Sequence, residues 1–194
     1  MARPRKFDEK KVLDAAKEQF WDGGYSATSL DELTSATGLG KGSLYGAFGD
    51  KHQLFLRALD EYRVEQMDGV RAVLLGDGRA WDRLVAILEG SAALAGSELG
   101  RRGCMLANST SELNLRDESV VARARESYGG VEDLLTECVT AAQRQGDIAA
   151  DADPRALGRL IVTILQGLDF MGKTGMAADA LRQVAETAIA TLPR

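Results

Sequence analysis

The sequence predicts an all-α protein, and three observations carry that prediction. Apolar residues recur at three- and four-residue intervals over most of the chain. Glycine, proline and short polar residues fall where those periodic runs start and stop. No alternating β-branched run is bounded by hairpin turns. With 194 residues, 45% of them hydrophobic, the chain can bury a core without covalent staples.

The first helix carries Val12, Leu13, Ala16 and Phe20 on one face and stops at Gly23-Gly24. Ser29 is suited to cap a short second helix, with Glu32 as its capping-box partner and Leu30, Leu33 and Ala36 facing inward. Thr37-Gly38-Leu39-Gly40 forms a tight turn, in which Gly38 can take a positive φ. A second short helix, Lys41 to Ala47, places Leu44 and Phe48 on one side and Lys41, Ser43 and Tyr45 on the other. Asp50 and Gln53 can cap the next long helix, whose stripe is Leu54, Phe55, Ala58, Leu59 and Tyr62. "RAWDRLVAILEGSAALAG" reads as a further long helix. So does "DESVVARARESYGGVEDLLTECVTAAQRQG", with a weak point at Gly129-Gly130. Residues 146–154 read as a loop. Pro154 then opens a helix with Leu157, Leu160, Ile161, Ile164, Leu165 and Leu168 on one face. The last helix repeats that spacing with Leu181, Val184, Ala185, Ala188, Ile189 and Leu192. The expected total is about nine helices.

Charge and cysteine usage narrow the function. The formal net charge of −5 argues against a chain that coats nucleic acid indiscriminately. Residues 1–11 nevertheless carry a net +3, leaving −8 on the rest, so one basic end meets an acidic body. Two cysteines make no disulfide framework, and no signal-peptide core follows the basic start. The run Leu160–Leu165 is too short to span a bilayer. A soluble cytoplasmic protein is expected. No carboxylate pair, metal-ligand cluster or nucleophile–base constellation stands out, and there is a single histidine, His52. Neither an enzyme nor a resident cofactor or metal is expected.

The stretch "GLGKGSLYGAFGDK", Gly38 to Lys51, poses the central question. A phosphate-binding loop needs a preceding strand and a Gly-Lys-Ser/Thr order. Here the order is Gly40-Lys41-Gly42-Ser43 and the preceding segment is helical. Two short helices joined by a glycine-containing turn instead form the helix-turn-helix pattern, whose second helix enters the major groove of DNA. Gly42, Gly46 and Ala47 let that helix approach closely.

The run "GGYSATSLDELTSATGLGKGSLYGAFGDKHQLF" resembles the DNA-binding domain of the TetR family of bacterial transcriptional regulators. Gly24, Thr28-Ser29-Leu30, Gly38-Leu39, Gly42-Ser43-Leu44-Tyr45, Phe48, Lys51 and Leu54 carry the resemblance, over about residues 8–56. It departs from the family pattern at Thr37, Gly40, Gly46 and Ala47, which leaves fewer side chains to read bases. The resemblance implies a DNA-binding domain over residues 1–52 and a helical effector-binding and dimerisation domain over 53–194. It implies that Tyr45 and Lys51 contact the DNA backbone and that Lys41 and Ser43 meet base edges. Thr28 and Ser29, at a helix start, are suited to hydrogen-bond a phosphate. Arg3, Arg5 and Lys6 are suited to reach phosphates or an adjacent minor groove.

A single helix-turn-helix offers little area, so a homodimer on a palindromic operator in double-stranded DNA is expected. The stripes of the last two helices are candidates for its interface, or else complete the core of one copy. The expected activity is repression, relieved by a small-molecule effector. Candidate pocket residues are Trp81, Leu84, Leu88, Met105, Asn108, Ser109, Tyr128, Leu135, Gln166, Asp169 and Phe170. Cys104 follows Arg101-Arg102 and offers an alternative, a thiol that senses electrophiles or oxidants; its plainer reading is a small packed residue. A helical protein-interaction module is the remaining alternative.

Overall fold

The computed structural model describes residues 7–113 and 116–194. Among them are nine α-helices, one short 3-10 turn and no strand. The helices are α1 (Glu9–Gly23), α2 (Leu30–Thr37), α3 (Lys41–Phe48), α4 (Lys51–Leu74), α5 (Ala80–Ala95), α6 (Met105–Leu113), α7 (Glu118–Arg144), α8 (Pro154–Lys173) and α9 (Ala178–Thr191). The 3-10 turn spans Leu99–Arg102. No helix is long and apolar enough to cross a membrane among the described residues.

The chain packs as two compact units. One takes in the described residues up to Glu65 together with Met105–Arg123; the other comprises Gln66–Cys104 and Ala124–Arg194. The boundary expected between residues 52 and 53 falls in the first turn of α4, which runs unbroken to Leu74. Because α6 belongs to the first unit, that unit is discontinuous in sequence.

Capping sets the helix starts. Asp8 accepts from the amides of Lys10 and Lys11 at 3.1 and 3.4 Å and so opens α1. Asp50 and Gln53 form a reciprocal box at the head of α4, with bonds of 2.8 and 3.2 Å. Asp153 accepts from Arg155 and Ala156, and Pro154 occupies the first turn of α8. The Gly129-Gly130 pair does not interrupt α7, whose run is continuous. Packing of the flanking turns, with Leu135 and Val139 fully buried, outweighs the poor helix propensity of two glycines.

In the first unit, Val12, Leu13, Ala16 and Phe20 of α1 are buried, as are Leu33, Leu44, Leu54, Phe55 and Leu59. Phe20 meets Phe55 edge-on at 5.2 Å, and Tyr25 lies 4.8 Å from Phe55. Ala36, expected inside, is exposed, since Leu33 alone of α2 is fully enclosed. The hydroxyl of Tyr62 accepts from the amide of Met105 at 3.3 Å and ties α6 to α4. Arg123 binds both carboxylate oxygens of Asp60, at 2.8 and 2.9 Å. Lys17 is buried and bonds Glu65 at 2.6 Å. Burial alone would lower its pKa, but Glu65 outweighs that and holds it above the ordinary lysine value. Asp14, Glu61 and Glu65 gather closely enough to suggest a cation site. Lys17, and Lys10 at 2.7 Å from Glu61, already supply the positive charge there.

In the second unit, α5 packs on α8 and α9. Leu84, Leu88, Leu135, Ile161, Leu168 and Leu181 form its enclosed core. The stripes of α8 and α9 therefore divide. Ile161, Leu165, Leu168, Leu181, Ala185 and Ala188 are buried within this unit, while Leu160 and Val184 remain 46% and 44% exposed. The crossing of α8 on α5 is tight. A Cβ added to Gly172 would lie 2.4 Å from the carbonyl oxygen of Ala95. Gly172→Ala should therefore destabilise the protein by about 1–3 kcal/mol through overpacking, seen as a lower urea midpoint. An unchanged midpoint would show that the crossing has slack.

Candidate nucleic-acid interface

The interface is built on α2 and α3. Thr28 fixes the approach to α2: its hydroxyl donates to the carbonyl of Gly24 at 2.6 Å and is buried. That removes the Thr28 hydroxyl from the phosphate-facing set expected of it. Ser29 caps α2 through a complete capping box, with bonds of 3.2 Å from Glu32 N–H and 2.6 Å to the Glu32 carboxylate. Its oxygen serves as acceptor there, so its hydroxyl proton stays available to a phosphate. Gly38 takes φ 68° and turns the chain toward α3.

At 100° per residue, Leu44 and Phe48 define the buried side of α3. Gly42 and Gly46 then point directly away from the core. Tyr45 borders them on one edge and Ser43 on the other, while Lys41, seven residues before Phe48, opens the helix on the Leu44–Phe48 side. Lys41, Ser43 and Tyr45 are all exposed, Tyr45 by 43%. A Cβ added to Gly42 or Gly46 would meet nothing within 4 Å. Internal packing therefore does not require either glycine, although each costs about 1 kcal/mol of helix propensity. Lys41 bonds Asp31 of α2 at 2.8 Å, which raises its pKa. A base edge must displace that carboxylate.

Lys51 begins α4. Its ammonium lies 4.6 Å from the Tyr25 ring centroid and 3.5 Å from the Ser26 carbonyl. Arg3, Arg5 and Lys6 lie outside the described residues. Two residues that sequence reasoning missed brace this region from the rest of its unit. Glu112 of α6 accepts from the amides of Tyr25 and Ser26 at 2.9 and 2.6 Å. Burial opposes its ionisation, but these bonds to Ser26 and Tyr25 outweigh that and lower its pKa. Asp117 bonds His52 at 2.6 Å, which gives that histidine a structural partner. Nothing local in the sequence announces either contact, because each joins residues more than sixty positions apart.

The expected pocket residues are divided between the two units. Leu84, Leu88 and Leu135 are enclosed core, and Trp81 is covered by the Arg194 guanidinium at 3.6 Å. Met105, Asn108 and Ser109 belong to the first unit, where Met105 and Ser109 are buried. Phe170 is 66% exposed, because Leu165, Leu168 and Gly172 take the core side of α8. Tyr128, Gln166 and Asp169 belong to the second unit and are partly buried. Burial and the nearby Cys104 and Asp169 hold the Tyr128 phenol well above its ordinary pKa. A groove of about 480 Å³ between α5 and α9 is lined by Glu89, Ala92, Ala93, Ala178, Arg182 and Glu186, none of them on the expected list. Cys104 is partly buried, whereas Cys138 is buried with its thiol toward the Ala80 carbonyl.

Residues 12–58 match the family described as bacterial regulatory proteins, tetR family. Residues 80–188 match the tetracyclin repressor-like C-terminal domain. The chain is 28% identical over 194 residues to the HTH-type transcriptional repressor ComR of Escherichia coli K12, covering 98% of this chain and 91% of that one. It is 36% identical over 104 residues to the repressor BdcR of the same organism, about half of each chain. Among solved structures it is similar to a cysteine-substituted form of the TetR family regulator CifR in complex with 26-bp operator DNA. That match has 31% identity and a TM-score of 0.87, covering 99% of this chain and all of that one.

Two predictions follow from the geometry of α3 and α4. Gly42→Ala and Gly46→Ala should each stabilise the fold by about 0.5–1 kcal/mol, since nothing blocks the added methyl. Each should also weaken DNA binding by bringing that methyl against the duplex. Thermal melts and electrophoretic mobility shifts read the two effects separately, and stabilisation without loss of binding would mean that α3 does not approach through this face. Lys51→Ala should weaken binding to all sequences alike and reduce the salt slope by about one unit. An unchanged slope would remove Lys51 from the phosphate contacts.

Proposed function

Because the chain belongs to the TetR family of bacterial transcriptional regulators, we propose that it represses transcription by binding a palindromic operator as a homodimer, and leaves the operator when a small effector occupies its C-terminal domain. It is a DNA-binding regulator and not an enzyme. The observation that carries the mechanism is the outward face of α3: two bare glycines flanked by Tyr45 and Ser43, with Lys41 exposed at the helix start and no internal packing reason for the glycines. Lys41 and Ser43 read base edges. Ser29, Tyr45 and Lys51 hold phosphates and so set the register. Arg3, Arg5 and Lys6 add contacts to phosphates or the adjacent minor groove. The protein acts in the bacterial cytoplasm, where it meets the chromosome.

One recognition helix reads only a few base pairs, so specificity calls for two copies related by a two-fold axis. Leu160, Phe170 and Met171 of α8 and Val184 of α9 are exposed apolar side chains suited to that contact. An effector then acts by population shift, through its greater affinity for the form that does not fit the operator. Thiol sensing at Cys104 is the second reading. It is favoured by the partial exposure of Cys104 and by its Sγ lying 3.8 Å from the Tyr128 hydroxyl.

Selection of genomic DNA fragments by the purified protein, followed by footprinting, tests the main reading. A protected palindrome and a dimeric mass by light scattering are expected. A monomer at micromolar concentration, or no specific site at low salt without ligand, would refute it. Slow, denaturant-dependent labelling of Cys104 would eliminate the thiol reading.

A further inference from the structure

The short segment Gly24-Tyr25-Ser26 leads from α1 toward α2, and several groups assigned to DNA depend on it. The Gly24 carbonyl accepts from the Thr28 hydroxyl at 2.6 Å, which fixes the residue just before the Ser29 cap. The Tyr25 ring centroid lies 4.6 Å from the Lys51 ammonium. The Ser26 carbonyl accepts from the same ammonium at 3.5 Å. Ser29 and Lys51 are two of the proposed phosphate contacts. Their placement is therefore tied to where these three residues stand.

Glu112 holds that segment. Its carboxylate accepts from the Tyr25 amide at 2.9 Å and from the Ser26 amide at 2.6 Å, one oxygen to each. Such charge-assisted bonds to main-chain donors are the strong kind. Gly24 makes room for them: at its φ of 78°, an added Cβ would lie 2.8 Å from Oε2 of Glu112. The acid is placed against other interests. It stands in the last turn of α6, where the negative end of the helix disfavours a carboxylate. It also adds negative charge to a unit that must approach a polyanion. Neither the stability of α6 nor general attraction to DNA accounts for it. The two amides do.

We propose that Glu112 is a positioning residue for DNA recognition, and that it sets the preference of this chain for its operator over other DNA. This rests on the operator reading above. Specific binding needs the phosphate and base contacts to be made together in one register. Non-specific binding needs only positive charge near phosphates. A Tyr25–Ser26 segment released from Glu112 still meets the second requirement and no longer meets the first. Loss of the carboxylate thus pushes the two kinds of binding in opposite directions.

Fluorescence anisotropy of the full chain at fixed salt tests this on two duplexes of equal length and composition, the protected palindrome and a scrambled version of it. Glu112→Gln, nearly isosteric, replaces one acceptor by an NH2 group that opposes a main-chain donor. It should bind the palindrome at least about tenfold more weakly, and the scrambled duplex equally or more tightly. Glu112→Asp keeps the charge but withdraws it by one methylene, and should also lose affinity for the palindrome. Gly172→Ala, in the second unit, is a control destabilised elsewhere, and its ratio of the two affinities should match that of the wild type. Four results would each overturn the proposal. They are a wild-type ratio in Glu112→Gln, equal weakening on both duplexes in that variant, wild-type affinity for the palindrome in Glu112→Asp, or an equal loss of ratio in Gly172→Ala. In all four the wild type still prefers the palindrome and the operator reading stands. A wild type that binds both duplexes alike overturns the operator reading, and the role of Glu112 with it.

Discussion

An eight-residue helix has no stability of its own in water, so everything proposed for DNA recognition depends on how α3 is held. Two side chains do it. Leu44 and Phe48 are 1% and 4% exposed, and they fix both the position and the rotation of the helix. Phe48 is further enclosed by the Phe7 ring at 6.3 Å and the Arg57 guanidinium at 4.7 Å. With the inner side so determined, the outer side has only one composition to present. It happens to be nearly devoid of side chains.

The elements around α3 are held by contacts that differ in kind. Local hydrogen bonds, the capping boxes of Ser29 with Glu32 and Asp50 with Gln53, set where α2 and α4 begin. Long-range polar contacts, Glu112 to the Tyr25 and Ser26 amides and Asp117 to His52, bind the α1–α2 turn and the head of α4 to α6 and α7. The first kind survives any local rearrangement. The second depends on where α6 and the start of α7 stand, so the DNA-facing unit is sensitive to that segment in a way that its core packing alone would not make it.

Much of this was legible in the sequence. Helix identity followed from period, and the caps at Ser29 and Asp50 and the start of α8 at Pro154 followed from residue type, because both depend on neighbours within four positions. The outward placement of Ser43 and Tyr45 followed from the same geometry. What was not legible depended on partners far along the chain. Thr28 reads as a phosphate ligand until its bond to Gly24 is seen, and Ala36 reads as core until Leu33 is found to do that work alone. The short α6 has too few turns to announce a period. Leu84, Leu88 and Leu135, expected to line a pocket, are enclosed core, because an apolar residue on a helix face looks alike in a core and in a cavity.

The open space around Gly42 and Gly46 bears on how such a protein can change over generations. A position that packs against nothing in its own molecule imposes no folding cost on whatever replaces it, and a replaced helix glycine even adds stability. On the reading proposed for α3, selection on these two positions acts through the DNA they face. A duplicated copy of this chain can drift to a new operator at Gly42 and Gly46 without passing through an unstable intermediate. The same drift at Leu44 or Phe48, two residues on in each case, would first have to survive the loss of the fold.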